Sequence, residues 1–112
     1  MTAVEQNVTL RREQDGQDRR HLWAYLDTDG NLRIDGQDLG PKTAPVSDSG
    51  GYEFFQIVRA VDLPQICVLL GAAPTADVLE VLEHEWSGAR SYDLEKLLRE
   101  SDLEIERFVW AE

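Results

Sequence analysis

The sequence predicts an α+β fold: a mostly antiparallel β-sheet of about five strands, packed by three short helices inserted before the last strand. Three observations predict it. Apolar residues recur with period two through the first half of the chain. From Asp62 the period becomes that of a helix. After Asp102 the alternation returns.

The elements can be taken in chain order. Val4, Val8 and Leu10 share a parity, which predicts a strand over 3–13, and Asp15-Gly16 is a turn signal. Residues 1–20 are expected to form a peripheral strand or arm. Leu22, Ala24 and Leu26 make one face of the next strand, with Trp23 and Tyr25 on the other. Leu32 and Ile34 make a short third strand. Residues 36–51 hold two prolines, Gly40 and Gly50-Gly51 and are expected to be a loop. Tyr52 to Ala60 is aromatic and β-branched with apolar residues of both parities, which suits an inner strand covered on both sides.

Leu63, Ile66, Cys67 and Leu70 then fall at helical spacing. Asp62 is the expected N-cap, Pro64 is tolerable in the first turn, and Gly71 is the stop. A second helix is expected to be capped by Thr75, to bury Val78, Leu79, Leu82 and Trp86, and to end at Gly88. A third begins near Ser91, with Leu94, Leu97, Leu98 and Ser101 on one face and Glu95 and Arg99 paired at i,i+4. Leu103, Ile105 and Val109 alternating with Glu104 and Glu106 form the last strand.

The 112 residues read as one α+β domain over 1–112. No apolar run approaches the roughly 20 residues of a membrane span, so no membrane association is expected. The N-terminal residues lack a basic and an apolar region, and a single cysteine allows no internal disulfide. Both favour the cytoplasm. The net charge is −11, from 11 basic and 22 acidic residues. That excess argues against direct nucleic-acid binding, which needs clustered Lys and Arg, and suits a basic protein partner.

The stretch Leu26 to Asp38 reads in two ways. As a calcium loop it offers Asp27, Asp29, Asn31, Asp35 and Asp38 at positions 1, 3, 5, 9 and 12. Leu32 stands where that loop wants glycine, Asp38 is shorter than the usual bidentate glutamate, and no helices flank the stretch. As a hairpin with a Thr28-Asp29-Gly30 turn, Leu26 opposes Leu32 and Ala24 opposes Ile34, so the apolar face closes on itself. The hairpin explains more of the residues and is preferred.

Other chemistry is sparse. His21 and His84 are the only histidines, and Glu83-His84-Glu85-Trp86 lacks the second histidine of a zinc-protease helix. Glu80 and His84 share a helix face as an ordinary exposed pair. Cys67 lies on an apolar stripe with nothing near it in sequence to activate a thiolate. Gly50-Gly51 precedes a strand, so no phosphate loop opens a helix. No catalytic residues and no cofactor are predicted. Glu104 and Glu106 read as strand-edge acids. Trp23, Tyr25, Phe55, Phe108 and Trp110 point away from the apolar parity of their strands. If no helix covers that face, Trp23, Tyr25, Phe55, Glu104, Glu106 and Trp110 make an aromatic partner-binding patch rimmed by acids.

Four strings, Leu26-Asp27-Thr28-Asp29-Gly30-Asn31-Leu32-Arg33-Ile34-Asp35-Gly36-Gln37-Asp38-Leu39-Gly40, Asp62-Leu63-Pro64-Gln65-Ile66, Trp86-Ser87-Gly88 and Ser91 to Glu100, give residues 22–110 a further feature. In them the chain resembles small acidic actinobacterial proteins of unknown function. The resemblance implies a bacterial, cytoplasmic protein and carries over no activity, cofactor or site residue. The function expected is that of a non-catalytic, immunity- or inhibitor-like protein that neutralises a basic partner such as a toxin domain or a nucleic-acid enzyme. The alternative is a small metal- or ligand-binding module built on the acidic loop 27–38.

Overall fold

The computed structural model describes residues 7–40 and 51–111. Five strands, β1 (Val8–Asp15), β2 (Asp18–Leu26), β3 (Leu32–Leu39), β4 (Gly51–Val58) and β5 (Ile105–Ala111), form one sheet in chain order. Every neighbouring pair is antiparallel. Between β4 and β5 come a 3-10 turn (Ala60–Asp62) and three helices, α1 (Leu63–Leu69), α2 (Val78–Glu85) and α3 (Arg90–Glu100). This is the α+β architecture that the change of period predicts. No helix among the described residues is long and apolar enough to cross a membrane.

The helices pack on one face of the sheet. Leu10, Leu22, Ala24, Leu32, Ile34 and Val58 from the strands meet Ile66, Leu70, Leu79, Leu82, Leu94 and Leu98 from the helices in one buried cluster. Burying each large side chain stabilises the fold by about 1.5–3 kcal/mol relative to leaving it in water. Trp86 packs against this cluster and donates its indole N–H to the Leu70 carbonyl at 3.2 Å, tying the end of α2 to the end of α1.

The turn between β2 and β3 takes the three-residue form. Leu26 pairs with Leu32 and Ala24 with Ile34. The Asp27 N–H donates to the Asn31 carbonyl at 2.9 Å, and Gly30 sits at φ 82°, where a side chain would be strained.

Of the first 20 residues, Val8–Asp15 form β1 at the edge of the described sheet, with Val8 and Leu10 in the core, and Asp18 already begins β2; Val4, expected in the same strand, lies outside the described residues. Other expectations need correction. Of the loop expected over 36–51, residues 36–39 instead continue β3 and Gly51 begins β4, while residues 41–50 lie outside the described residues. Gly36 is not a chain breaker. It is buried beneath Phe54, where an added Cβ would lie 2.0 Å from the ring tip. The cap of α2 is Asp77 rather than Thr75, since its carboxylate accepts the N–H groups of Leu79 and Glu80.

A β-bulge in β1 has the widest consequences. Thr9 pairs with Trp23 and Arg11 with Leu22, which leaves Leu10 as an extra residue. Leu10 and Arg11 therefore both turn toward the helices, and Arg11 is only 4% exposed. The Leu10 carbonyl accepts the N–H of Gly88 at 2.7 Å, just before α3. Arg11 Nε donates to Ser91 Oγ at 2.9 Å, its Nη1 meets Glu95 at 3.3 Å, and its guanidinium stacks 3.6 Å from the Tyr92 ring centroid. One inserted residue thus ties the edge strand to the start of the last helix.

Candidate functional site

The strand register assembles the aromatic residues on the face opposite the helices. One row across the sheet reads Thr9, Trp23, Asp35, Phe55 and Phe108. Beside it lie Tyr25, Arg33, Ile57 and Glu106 on one side, and His21, Gln37, Glu53 and Trp110 on the other. None of the rings on this face belongs to the core cluster. Of the six expected partner-binding residues, Trp23, Tyr25, Phe55, Glu106 and Trp110 share the face. Glu104 precedes β5, where Arg59 meets it at 3.2 Å.

Exposure is uneven across this face. Trp23, Tyr25 and Phe55 are half-buried. On β5, Phe108, Val109 and Trp110 are 55%, 65% and 66% exposed. Three consecutive large apolar residues thus stand out on a strand whose one paired neighbour among the described residues is β4. Charge is uneven as well. Glu53 and Glu106 flank the rings at the β5 side, with Glu104 just beyond, whereas Arg12 and Arg19 lie toward β1. The acidic rim therefore surrounds half of the aromatic face.

Asp35 sits at the centre of the face and is only 4% exposed. Its Oδ2 accepts the Tyr25 hydroxyl at 3.0 Å, while Oδ1 lies 3.9 Å from Arg33 Nε and has no hydrogen-bond partner among the described residues. Burial pushes its carboxyl above the usual range, against the opposing pull of Tyr25 and Arg33. Burial likewise lowers the His21 imidazole, helped by the Arg12 charge, and the His21 ring lies 4.6 Å from that of Trp23.

The acidic stretch does not gather its carboxylates. Asp27 uses Oδ1 to accept the N–H groups of Asp29 and Asn31, both at 2.9 Å. Desolvation opposes ionisation there, but these donors and the Asn31 side chain hold the carboxyl below its ordinary value. Asn31 also accepts the Ala60 N–H at 2.9 Å, clipping the turn to the end of β4. Asp35 and Asp38 differ in parity, so Asp35 meets Tyr25 on one face and Asp38 meets Tyr52 on the other, at 2.8 Å. Asp27, Asp29, Asn31, Asp35 and Asp38 are thus spread over a turn and both sheet faces. No cluster of three or more metal-ligating residues occurs among the described residues.

Cys67 is buried with its thiol 3.5 Å from the Ala76 carbonyl, and burial raises its pKa. His84 is exposed beside Glu80 on α2.

Sequence reasoning missed a second polar arrangement, on the helix side. Register places Glu13, Arg20, Asp38 and Tyr52 in one transverse row. The Tyr92 hydroxyl donates to Glu13 and lies against Arg20, whose guanidinium it helps keep protonated. The Tyr52 hydroxyl, desolvated and bonded to Asp38, is pushed up to about 12. One signal was available: Arg20, Asp38 and Tyr52 share the parity of the core residues Leu22, Ile34 and Val58.

Compared with known proteins, the chain matches no family model, no curated protein and no solved structure.

Proposed function

We propose that this chain is a bacterial, cytoplasmic, non-catalytic interaction protein that docks a basic protein partner along β5 and the adjoining half of the aromatic face. The observation carrying the reading is the run Phe108, Val109 and Trp110, exposed on the strand that ends the sheet among the described residues. Such a strand offers backbone groups for a partner segment, and large aromatic side chains are the usual anchors of an interface. Glu53, Glu104 and Glu106 around the anchors, in a chain of net charge −11, favour a partner that presents Lys and Arg. Immunity- and inhibitor-like proteins bind in this manner, by occluding a basic surface.

The test is affinity capture from cell extract with the parent chain and with a Phe108→Ser/Trp110→Ser variant as baits, at low and high salt. The expected result is a basic protein held by the parent at low salt, lost with the variant, that forms a defined complex when purified. Identical captures by the two baits, or no capture at low salt, would refute the reading.

A further inference from the structure

The helical layer stops short of one end of the sheet and leaves a cleft of about 490 Å³ between α3 and the ends of β3, β4 and β5. Its charged lining is Arg11, Arg20, Arg99 and Arg107 against Asp38 and Glu95. Four arginines and two acids make the cleft locally positive, although the chain as a whole carries −11. Four of the 11 basic residues converge on this one place.

The hydrogen bonds in the cleft are incompletely paired. Arg11 is held from three sides, by Ser91, Glu95 and the Tyr92 ring, yet its Nη2 is buried and has no acceptor among the described residues. Such an unmet buried donor is unfavourable unless something supplies an acceptor. Arg107 places Nη2 on the Leu98 carbonyl at 2.9 Å, and Arg99 has no ion pair or hydrogen bond among the described residues. Asp38 gives the complementary signal: Oδ2 takes the Tyr52 hydroxyl, and Oδ1 is buried without a donor among the described residues. The Phe54 ring and Val109 add apolar wall between these polar groups.

We propose that this cleft binds a small organic oxyanion that carries a hydroxyl or amino donor beside its charged group. The oxyanion meets the guanidinium donors of Arg11 and Arg99, the neighbouring donor meets Asp38 Oδ1, and a short carbon body lies on Phe54. Arginine suits the task because its fork matches carboxylate and phosphate alike and stays charged at every working pH. A cleft of this size holds a ligand of a few to a dozen or so heavy atoms. An inorganic anion without a hydroxyl, such as sulfate, would leave Asp38 unmet.

Amide-resolved NMR titrations with L-malate, glycerol 3-phosphate and succinate, each to about 10 mM, test the proposal in the millimolar range expected of small ligands. The expected result is saturable shifts centred on Arg11, Asp38, Tyr52 and Arg99. Malate or glycerol 3-phosphate should bind about tenfold more tightly than succinate, which has the charge but lacks the donor. Whichever of the first two is tighter identifies the oxyanion as carboxylate or phosphate. Arg99→Gln, which removes charge without removing any bond of the fold, should weaken binding about tenfold. Arg20→Gln/Arg99→Gln should abolish it in a chain whose spectrum stays dispersed. Asp38→Asn should narrow the preference over succinate. Shifts that never saturate, shifts centred on Arg12 and Arg19, or affinities unchanged in Arg99→Gln would overturn the proposal.

Discussion

Replacing Gly36 by alanine isolates a single packing contact. An alanine Cβ would meet the Phe54 Cζ, Cε2 and Cε1 atoms at 2.0, 2.4 and 2.6 Å. The ring tip must move by roughly 1.4 Å to regain ordinary contact near 3.4 Å. The backbone is no obstacle, because Gly36 is not among the positive-φ glycines. Alanine at a permissive backbone position stabilises by about 0.4–1 kcal/mol, and overpacking costs about 1–3 kcal/mol. The net expectation is a loss of about 1–2 kcal/mol. Removing the ring separates the two effects. In a Phe54→Ala background the clash is gone, so Gly36→Ala should become neutral or stabilising by up to about 1 kcal/mol. Urea unfolding of the four chains of this cycle, followed by tryptophan fluorescence and circular dichroism, gives the coupling energy directly. If Gly36→Ala costs the same in both backgrounds, within about 0.5 kcal/mol, the glycine is not there for the ring and the reasoning fails.

Two further outcomes rest on local geometry. Asp77→Ala should destabilise the chain by about 1 kcal/mol in the same assay, since two N–H groups of α2 lose their acceptor, while Thr75→Ala should stay within about 0.5 kcal/mol; the reverse ranking would return the cap to Thr75. Asp35 provides the pH dependence. Its carboxyl is raised in the fold, so the folded chain holds that proton more tightly than the unfolded chain does, and the penalty of a buried charge is relieved as pH falls from neutral through the folded pKa toward 3.8. Asp35→Asn keeps an acceptor for Tyr25 and is uncharged throughout. It should be more stable than the parent at pH 7, with the advantage shrinking as pH approaches 4, and urea midpoints that differ by a pH-independent amount would count against the assignment.

Much of this fold was legible because burial is written into periodicity. Leu32 shows how far that goes. It breaks the calcium pattern and, for the same reason of parity, sets the register of the β2–β3 hairpin, which the structure adopts. The aromatic face was legible on similar grounds, since Trp23, Tyr25, Phe55 and Trp110 take the parity opposite to the core. What parity cannot report is how exposed a residue on that face is. Phe55 lies within the sheet and is half-buried, whereas Phe108 belongs to the last strand of the described sheet and stands out at 55%.

By itself, then, the sequence determined the order and type of the elements, the hairpin register and which side chains share a face, because each depends on neighbours a few positions away. Only the tertiary structure decided three further matters. The Leu10 bulge puts Arg11 inside, because an inserted residue reverses the parity of the strand beyond it, and contacts with Gly88, Ser91 and Glu95 far along the chain hold it there. Gly36 is a seat for Phe54 on the next strand and not a turn. Arg11, Arg20, Asp38, Tyr52 and Arg99 meet at one cleft although they come from four strands and a helix. Each of these is a long-range pairing, and pairing between distant segments is settled by packing, which no local pattern encodes.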